Sequence, residues 1–460
     1  MSLSVIILAA GRGMRMHSAK PKVLHLLAGK PLLEHVILQA QTLSPTEIFC
    51  VVGEGREQVM ESLKAYPVRW IHQEKQLGTG HAVLQVLPHL NPAYPVLILY
   101  GDVPLISSDT LKQLLNTLVN HELSLLVAQL ENVEGLGRIV RDKQGKIQRI
   151  VEERDATNEE KKIKEINTGV LAASFSALQH WLPKVTTQNN QHEYYLPDVI
   201  NLAVAAGVAV ITHTALHADE ILGVNTRAQL AHLERVYQKK RIENLMAQGI
   251  SFTDPARCDV RGEVIAEPDV LIESNVLFEG QVSLGEGTVI GPNNHIRDSR
   301  IGKNVVIKAN CVIEEAEIAD GCVIGPFSRI RPGTELKENV HIGSFVEVKK
   351  SKIGKGTKAN HLTYLGDADI GEEVIIGAGT ITCNYDGVDK HETRIKDRAF
   401  IGSNTALVAP VEVGQDAVIG AGSVITKDAP AAQLTLARSR QTTIAHWQKP
   451  KKRKKTDVES

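Results

Sequence analysis

The sequence is poor in aromatic residues. Phe, Trp and Tyr make up 4% of its 460 residues, too few for the ring platforms on which single-stranded nucleic acid stacks. It also lacks a charge imbalance, since 52 basic and 53 acidic side chains leave a formal net charge of -1. No global field therefore draws the chain to nucleic acid or to an anionic membrane. No run of about 18 apolar residues occurs, so no bilayer insertion is expected. The first apolar run, residues 5–10, is short, ends in glycine and follows no basic region, which excludes a signal peptide reading. Cysteine is sparse: Cys50, Cys258, Cys311, Cys322 and Cys383 are odd in number and scattered, with no CxxC pair. That excludes a zinc ribbon and suits reduced thiols in a cytoplasm. What remains is a globular chain with a 43% hydrophobic fraction, long enough for two or three domains.

Two halves are written with different residues. Residues 1–250 hold 36 Leu and 15 Gly, and residues 251–460 hold 9 Leu and 21 Gly. Leucine suits helices, whereas Val, Ile and Gly suit short strands and turns. In the first half, residues 4–10, 47–52, 96–99 and 124–129 read as strands, and 32–43, 79–87 and 109–119 as helices. Such alternation predicts a Rossmann-like α/β domain with a parallel sheet, helices on both faces, and ligands beyond the carboxyl ends of the strands. From residue 226 to about 249 the pattern reads as one charged helix, with Asn225 as its cap. The expected domains are residues 1–227, a helical linker at 228–249, and residues 250–460.

The second half repeats every six residues. Aliphatics fall at Leu284, Ile290, Ile296, Ile301, Ile307 and Ile313, continue to Val348, and resume from Ile395 to Ile425. A period of six fits neither a helix nor a hairpin. It fits a solenoid in which each hexapeptide makes one short strand and a turn, an all-β parallel β-helix. The interruption near residues 377–393 is expected to be a loop thrown out of the coil, and such loops carry function.

In the first half, Leu8-Ala9-Ala10-Gly11-Arg12-Gly13-Met14-Arg15-Met16 follows a strand, with Pro21-Lys22 close behind. Glycines let backbone N–H groups approach phosphate oxygens, and Arg15 and Lys22 add positive charge. Met16 at the third glycine position excludes a dinucleotide fingerprint. Asp102, just past an apolar strand, stands where a magnesium ligand belongs.

The run resembles the G-x-G-T-R signature, with a later P-K, of sugar-1-phosphate nucleotidyltransferases; Met14 replaces the usual threonine. Further motifs agree: Gln73, Gln76-Leu77-Gly78-Thr79-Gly80-His81-Ala82, Tyr100-Gly101-Asp102-Val103-Pro104, Gly137-Arg138, Val151-Glu152, Ile166-Asn167-Thr168-Gly169 and Gly223-Val224-Asn225. With the hexapeptide half, they resemble the bacterial bifunctional UDP-N-acetylglucosamine pyrophosphorylase / glucosamine-1-phosphate N-acetyltransferase family. The resemblance implies that Asp102 and Asn225 hold Mg²⁺ and that Arg15 and Lys22 clamp phosphates. It implies a nucleotide cleft with Leu8, Ala10, Gly11 and Tyr100, the base at Gln73, Gly78 and Thr79, and the sugar phosphate near Gly137, Glu152, Asn167 and Asn225. His81 reads as a packing or capping residue.

The second half carries polar residues that a plain scaffold does not need: Arg331, Glu347, Lys349, the 360–364 run and the 377–387 run. The resemblance reads them as an acetyl-CoA-dependent site on glucosamine-1-phosphate. An amine attacking a thioester must lose a proton, for which His361 is the base. Arg331 and Lys349 suit the phosphate. The family pattern has Tyr364, Asn384 and Tyr385 position substrates, and Ala378, Lys390, Ser403, Ala421 and Arg438 line the coenzyme site. Glu347 is a candidate to orient His361. Ile375 stands where the family has an asparagine that contacts the amino sugar. The resemblance also implies a left-handed coil and a homotrimer whose acetyltransferase sites are shared between chains.

The expected activity is acetylation of glucosamine-1-phosphate by acetyl-CoA, then transfer of UMP from UTP to N-acetylglucosamine-1-phosphate with release of pyrophosphate. Two alternatives stay open: a pyrophosphorylase whose β-helix only assembles or senses, and a non-catalytic module that binds sugar nucleotides. The basic tail, residues 449–455, reads as a solvated end.

Overall fold

The computed structural model describes residues 2–11 and 13–450; of the basic tail, residues 451–455 lie outside them. The chain divides into two compact units, Met1–Glu243 and Asn244–Ser460.

The first unit is built on a sheet in the order Val210–Thr214, Leu123–Gln129, Glu165–Ala173, Val96–Tyr100, Ser4–Ala9, Glu47–Val52, Arg69–His72. Every residue of Ser4–Ala9 is buried, because helices cover both faces and successive side chains alternate between them. Val5 and Ile7 join Val36, Ile37, Leu111 and Leu114 in one core. Ile6 and Leu8 join Val83, Val86, Leu178 and Val199 in the other. The predicted strands and helices fall on Ser4–Ala9, Glu47–Val52, Val96–Tyr100, Leu123–Gln129, Leu32–Gln41, Thr79–Val86 and Ser108–Thr117.

One strand departs from the all-parallel expectation. Glu165–Ala173 runs antiparallel to both neighbours. Between residue 129 and this strand the chain makes the hairpin Gly137–Arg141 and Ile147–Val151 and a short 3₁₀ turn. A parallel return needs a crossover back to the starting end of the sheet. No helix supplies one there, so the strand re-enters from the end it left.

The long helix spans Arg227–Ala247. Its start is capped by Thr226 rather than Asn225. Thr226 Oγ1 accepts from the Gln229 N–H at 3.2 Å, and Gln229 Oε1 accepts in return from the Thr226 N–H at 3.0 Å. This reciprocal pair is a capping box; the Asn225 side chain is turned to another partner, described below. Leu233 is buried with Met16, Leu27, Leu32 and Val224, so this end of the helix packs into the first unit.

The second unit is a parallel coil of strands mostly two or three residues long. Ile290 pairs in register with Ile307, which pairs with Ile324. The inward positions Leu284, Ile290, Ile296, Ile301, Ile307 and Ile313 are all buried, as are Ile395, Ile401, Leu407, Val413, Ile419 and Ile425. The turns put asparagine in the left-handed region, for example Asn304 (φ 52°) and Asn404 (φ 54°), where its short polar side chain is tolerated.

The ejected loop is shorter than the sequence indicated. Ile353, Ala359, Leu365, Ile370, Ile376 and Thr382 continue the buried ladder, and Ile381–Cys383 pairs with Ala406–Val408. The chain leaves the coil only after Cys383 and rejoins it at Thr393–Ile395. The pattern looked broken because Ala359 and Thr382 stand at inward positions. Thr382 is accommodated there because its hydroxyl accepts from the Gly366 N–H at 2.8 Å and donates to Gly366 C=O at 3.0 Å, so that hydroxyl is not buried unpaired.

Candidate active sites

In the first unit the glycine-rich loop folds back over Lys22. Gly13 has φ 63°, and a Cβ there would lie 2.6 Å from Lys22 Cβ, so only glycine fits. Gly11 is different: among the described residues a Cβ there would meet nothing within 4 Å, which leaves open space for a ligand beside the backbone. Pro21 precedes the 3₁₀ turn Lys22–Leu24 and sends the Lys22 side chain inward. Its ammonium donates to Asp102 Oδ2 and, at 3.2 Å, to Asn225 Oδ1. Asp102 follows the strand Val96–Tyr100. Its carbonyl accepts from the Val224 N–H at 2.9 Å, which locks the two oxygen-bearing loops together.

These groups line a cleft of ≈ 600 Å³. Of the residues expected there, Leu8, Ala10, Gly11, Arg15, Lys22 and Asp102 line it, as do Gln73, Gly78, Thr79, Tyr100 and Asn225. Gln73 is buried and donates from Nε2 to Gly78 C=O at 3.1 Å. The same nitrogen sits 2.9 Å from His81 Nδ1, so His81 braces the Gln73 amide, and burial lowers its pKa. Thr79 Oγ1 accepts from the Leu196 N–H at 3.0 Å.

Gly137, Glu152 and Asn167 form a second group. Gly137 is in register with Asn167, and a Cβ on Gly137 would lie 3.1 Å from Glu152 Oε1. Burial raises the Glu152 pKa, with Asp155 and Asp198 adding to the effect. Tyr100 connects the two groups: it lines the cleft, and its hydroxyl pKa is raised by burial and then by Glu152. The sequence reading missed Glu193, which also lines the cleft. Its segment is held by the Gly80 N–H to Tyr194 C=O and the Tyr194 N–H to Leu77 C=O bonds, both 2.8 Å. These are long-range backbone contacts that leave no periodic trace in the sequence.

In the second unit the site residues come from successive coils. Arg331 Nη1 donates to Glu347 Oε1 at 2.7 Å. Glu347 is in register with Tyr364, and Lys349 with Gly366. The Tyr364 ring lies over Gly366, where a Cβ would be 2.4 Å from its hydroxyl. His361 ends the strand Lys358–His361 and is exposed. The Glu347 carboxylate, expected to orient His361, is engaged by Arg331 through one of its oxygens.

Asn384 is buried and donates to Asp367 Oδ2 at 2.5 Å, which anchors the root of the loop. Tyr385 and Lys390 face each other across it, and the Tyr385 hydroxyl donates to Gly387 C=O at 2.6 Å. His391 Nε2 lies 2.7 Å from Asp386 Oδ2, and that bond, with two backbone N–H groups, holds the Asp386 carboxyl well below the usual range.

Ala378, Ser403 and Ala421 form a ladder. Ala378 C=O accepts from the Asn404 N–H and Ser403 C=O from the Gly422 N–H, each at 2.7 Å. Arg438 Nη1 donates to Ala421 C=O at 2.9 Å. Ile375 is 47% exposed and in register with Phe400.

An α/β unit with a phosphate-type loop and a hexapeptide coil with a polar ladder define a transferase of two parts. The model of the MobA-like NTP transferase domain matches residues 5–249, and that of the bacterial transferase hexapeptide, six repeats, matches residues 392–427. The GMPPB C-terminal domain model matches residues 260–362. The chain is 52% identical to the bifunctional protein GlmU of Marinobacter nauticus, over 98% of this chain and 99% of that protein. It is 51% identical to that of Azoarcus sp. and 50% to that of Ralstonia pickettii, in each case over 98% of this chain and all of the relative. The chain belongs to the GlmU family of bifunctional proteins. It is an enzyme with two activities, a uridylyltransferase and an acetyltransferase.

Proposed function

We infer that the second unit acetylates glucosamine-1-phosphate with acetyl-CoA and that the first unit then joins the product to UMP from UTP, giving UDP-N-acetylglucosamine and pyrophosphate. The observation that carries the first half of this reading is the convergence of Asp102 and Asn225 on one cation, the Lys22 ammonium, inside the cleft. Two hard oxygen donors around a positive charge suit Mg²⁺, which takes few protein ligands and completes its shell with water and phosphate. No group of three or more His, Cys, Asp or Glu able to hold a metal occurs among the described residues, which leaves most of the shell to water and phosphate.

Mg²⁺, when bound by Asp102 and Asn225, neutralises charge as two phosphate-bearing anions meet. Arg15 and Lys22 hold the phosphates, and Gly11 lets the backbone approach them. Gln73, Gly78 and Thr79 hold the base, with His81 fixing the Gln73 amide. Gly137, Glu152 and Asn167 hold the sugar, and Tyr100 joins the two subsites.

In the second unit His361 takes the proton of the attacking amine. Arg331, held by Glu347, and Lys349 bind the phosphate, and Tyr364 and Asn384 position the sugar. Tyr385, Lys390, Ala378, Ser403, Ala421 and Arg438 hold the coenzyme. His361, Ser403 and Ala421 are exposed in the single chain, and Tyr385 is 60% exposed. A thioester site needs walls against water, so a second copy supplies them in a homotrimer. The five unpaired thiols suit a cytoplasmic enzyme, and no helix among the described residues is long and apolar enough to cross a membrane.

The test is product analysis with Asp102→Ala and His361→Ala. Each variant is expected to lose one half-reaction and keep the other. Loss of both from a folded single variant contradicts the assignment.

A further inference from the structure

The metal ligands of the first site are not waiting empty-handed. Lys22 donates to both Asp102 Oδ2 and Asn225 Oδ1, and the ion pair is largely shielded, with side chains 11% and 16% exposed. The main chain that carries the two oxygens is fixed by bonds that do not involve Lys22: the Val224 N–H bonds Asp102 C=O, and the Asn225 N–H bonds Gln229 Oε1 at 2.8 Å. The two loops therefore do not depend on the ammonium for their main-chain positions. The stem of Lys22, in contrast, is pinned under Gly13, so an evicted ammonium stays close to the seat.

We propose that Lys22 is the resident counter-ion of this cation seat and gives it up only to a metal that arrives with a nucleotide. A divalent ion entering alone must displace a positive charge that cannot move far, and it then faces that charge at short range. A nucleoside triphosphate removes the conflict, because its phosphate oxygens accept the ammonium while the metal takes Asp102 and Asn225. Metal and nucleotide binding are then coupled, each tightening the other by the same factor. The apo site keeps Asp102 neutralised and is protected from stray divalent ions. This rests on the assignment of Asp102 and Asn225 as metal ligands made above.

The experiment is a titration of the full chain with Mn²⁺ and no nucleotide, with free Mn²⁺ read by its paramagnetic resonance signal. Lys22→Met, similar in length but uncharged, is expected to bind Mn²⁺ at least about fivefold more tightly than wild type. Lys22→Arg, which keeps the charge, is expected to remain as weak as wild type. UTP is expected to tighten Mn²⁺ binding in wild type by at least about fivefold and in Lys22→Met by less. The proposal is overturned if Lys22→Met binds no more tightly than wild type, or if its gained binding survives in Lys22→Met/Asp102→Asn, which places the ion elsewhere. Failure of the underlying assignment has a separate signature that removes both: wild type and Asp102→Asn then bind Mn²⁺ equally well in the presence of UTP.

Discussion

The two sites are built on opposite plans. In the first unit the functional groups line a cleft, several of them are buried, and they already engage one another: Lys22 with Asp102, Gln73 with Gly78 and His81. In the second unit His361, Tyr385, Ser403 and Ala421 stand on an outer surface, and the side-chain pairs Arg331–Glu347 and Asn384–Asp367 are fixed. The difference follows from the folds. An open sheet makes a crevice past its strand ends. A β-helix fills its own interior with aliphatics and can offer only faces and corners, so an enclosed site requires a second surface.

The largest expected effect separates the two plans outright. Asp102→Ala is expected to reduce uridylyl transfer by about 10²-fold or more, since the loss of one stabilising group at a developing charge has that scale. Acetyl transfer, measured as free CoA thiol on the same preparation, is expected to stay unchanged. The mirror experiment is His361→Ala, expected to lower acetyl transfer by about 10²–10⁴-fold, the range of general-base catalysis, with pyrophosphate release from UTP in the presence of N-acetylglucosamine-1-phosphate intact. If either variant damages both rates while circular dichroism is unchanged, the sites are not independent.

A smaller effect sharpens the contrast between closed and open. On dilution, acetyl transfer per chain is expected to fall as copies separate, while uridylyl transfer per chain holds steady. Equal persistence of both would show that the exposed ladder is complete in one chain.

The smallest effects concern stability. Thr226→Ala removes the hydroxyl of the capping box and is expected to cost about 1 kcal/mol by urea unfolding of the first unit. Glu152→Gln tests the raised carboxyl. Burial lifts the folded pKa of Glu152 above its unfolded value, so its charged form opposes folding, and stability falls as pH rises through the folded pKa. Glu152→Gln is therefore expected to raise the unfolding temperature of the first unit by about 2 °C at pH 8. The gain is expected to vanish at low pH, where the native carboxyl is protonated. A gain independent of pH would assign the effect to packing instead.

Much of this contrast was legible in the residues. The strands of the first sheet announce themselves as short apolar runs, and the helices between them by spacing. The antiparallel strand Glu165–Ala173 did not, because its direction is set by the missing crossover before it and not by its own residues. In the coil, aliphatic phase marked the inward positions, but Ala359 and Thr382 hid two turns, so the loop was drawn too long. The motif residues of the first unit line one cleft, whereas Glu193 enters it through backbone bonds of its neighbour Tyr194 to Leu77 and Gly80. Partners were the least legible feature. Nothing in the spacing tells that Glu347 holds Arg331, or that Lys22 sits between Asp102 and Asn225, since those pairs form only when distant segments meet.

The central claim is that one chain runs two reactions in order, acetylation before uridylyl transfer. The most direct measurement is mass spectrometry of the complete mixture of glucosamine-1-phosphate, acetyl-CoA, UTP and Mg²⁺, with one component omitted at a time. UDP-N-acetylglucosamine is expected only when all are present, and N-acetylglucosamine-1-phosphate is expected to accumulate when UTP is left out. Formation of UDP-glucosamine as the main product without acetyl-CoA, or no acetylated sugar phosphate when UTP is absent, would contradict it.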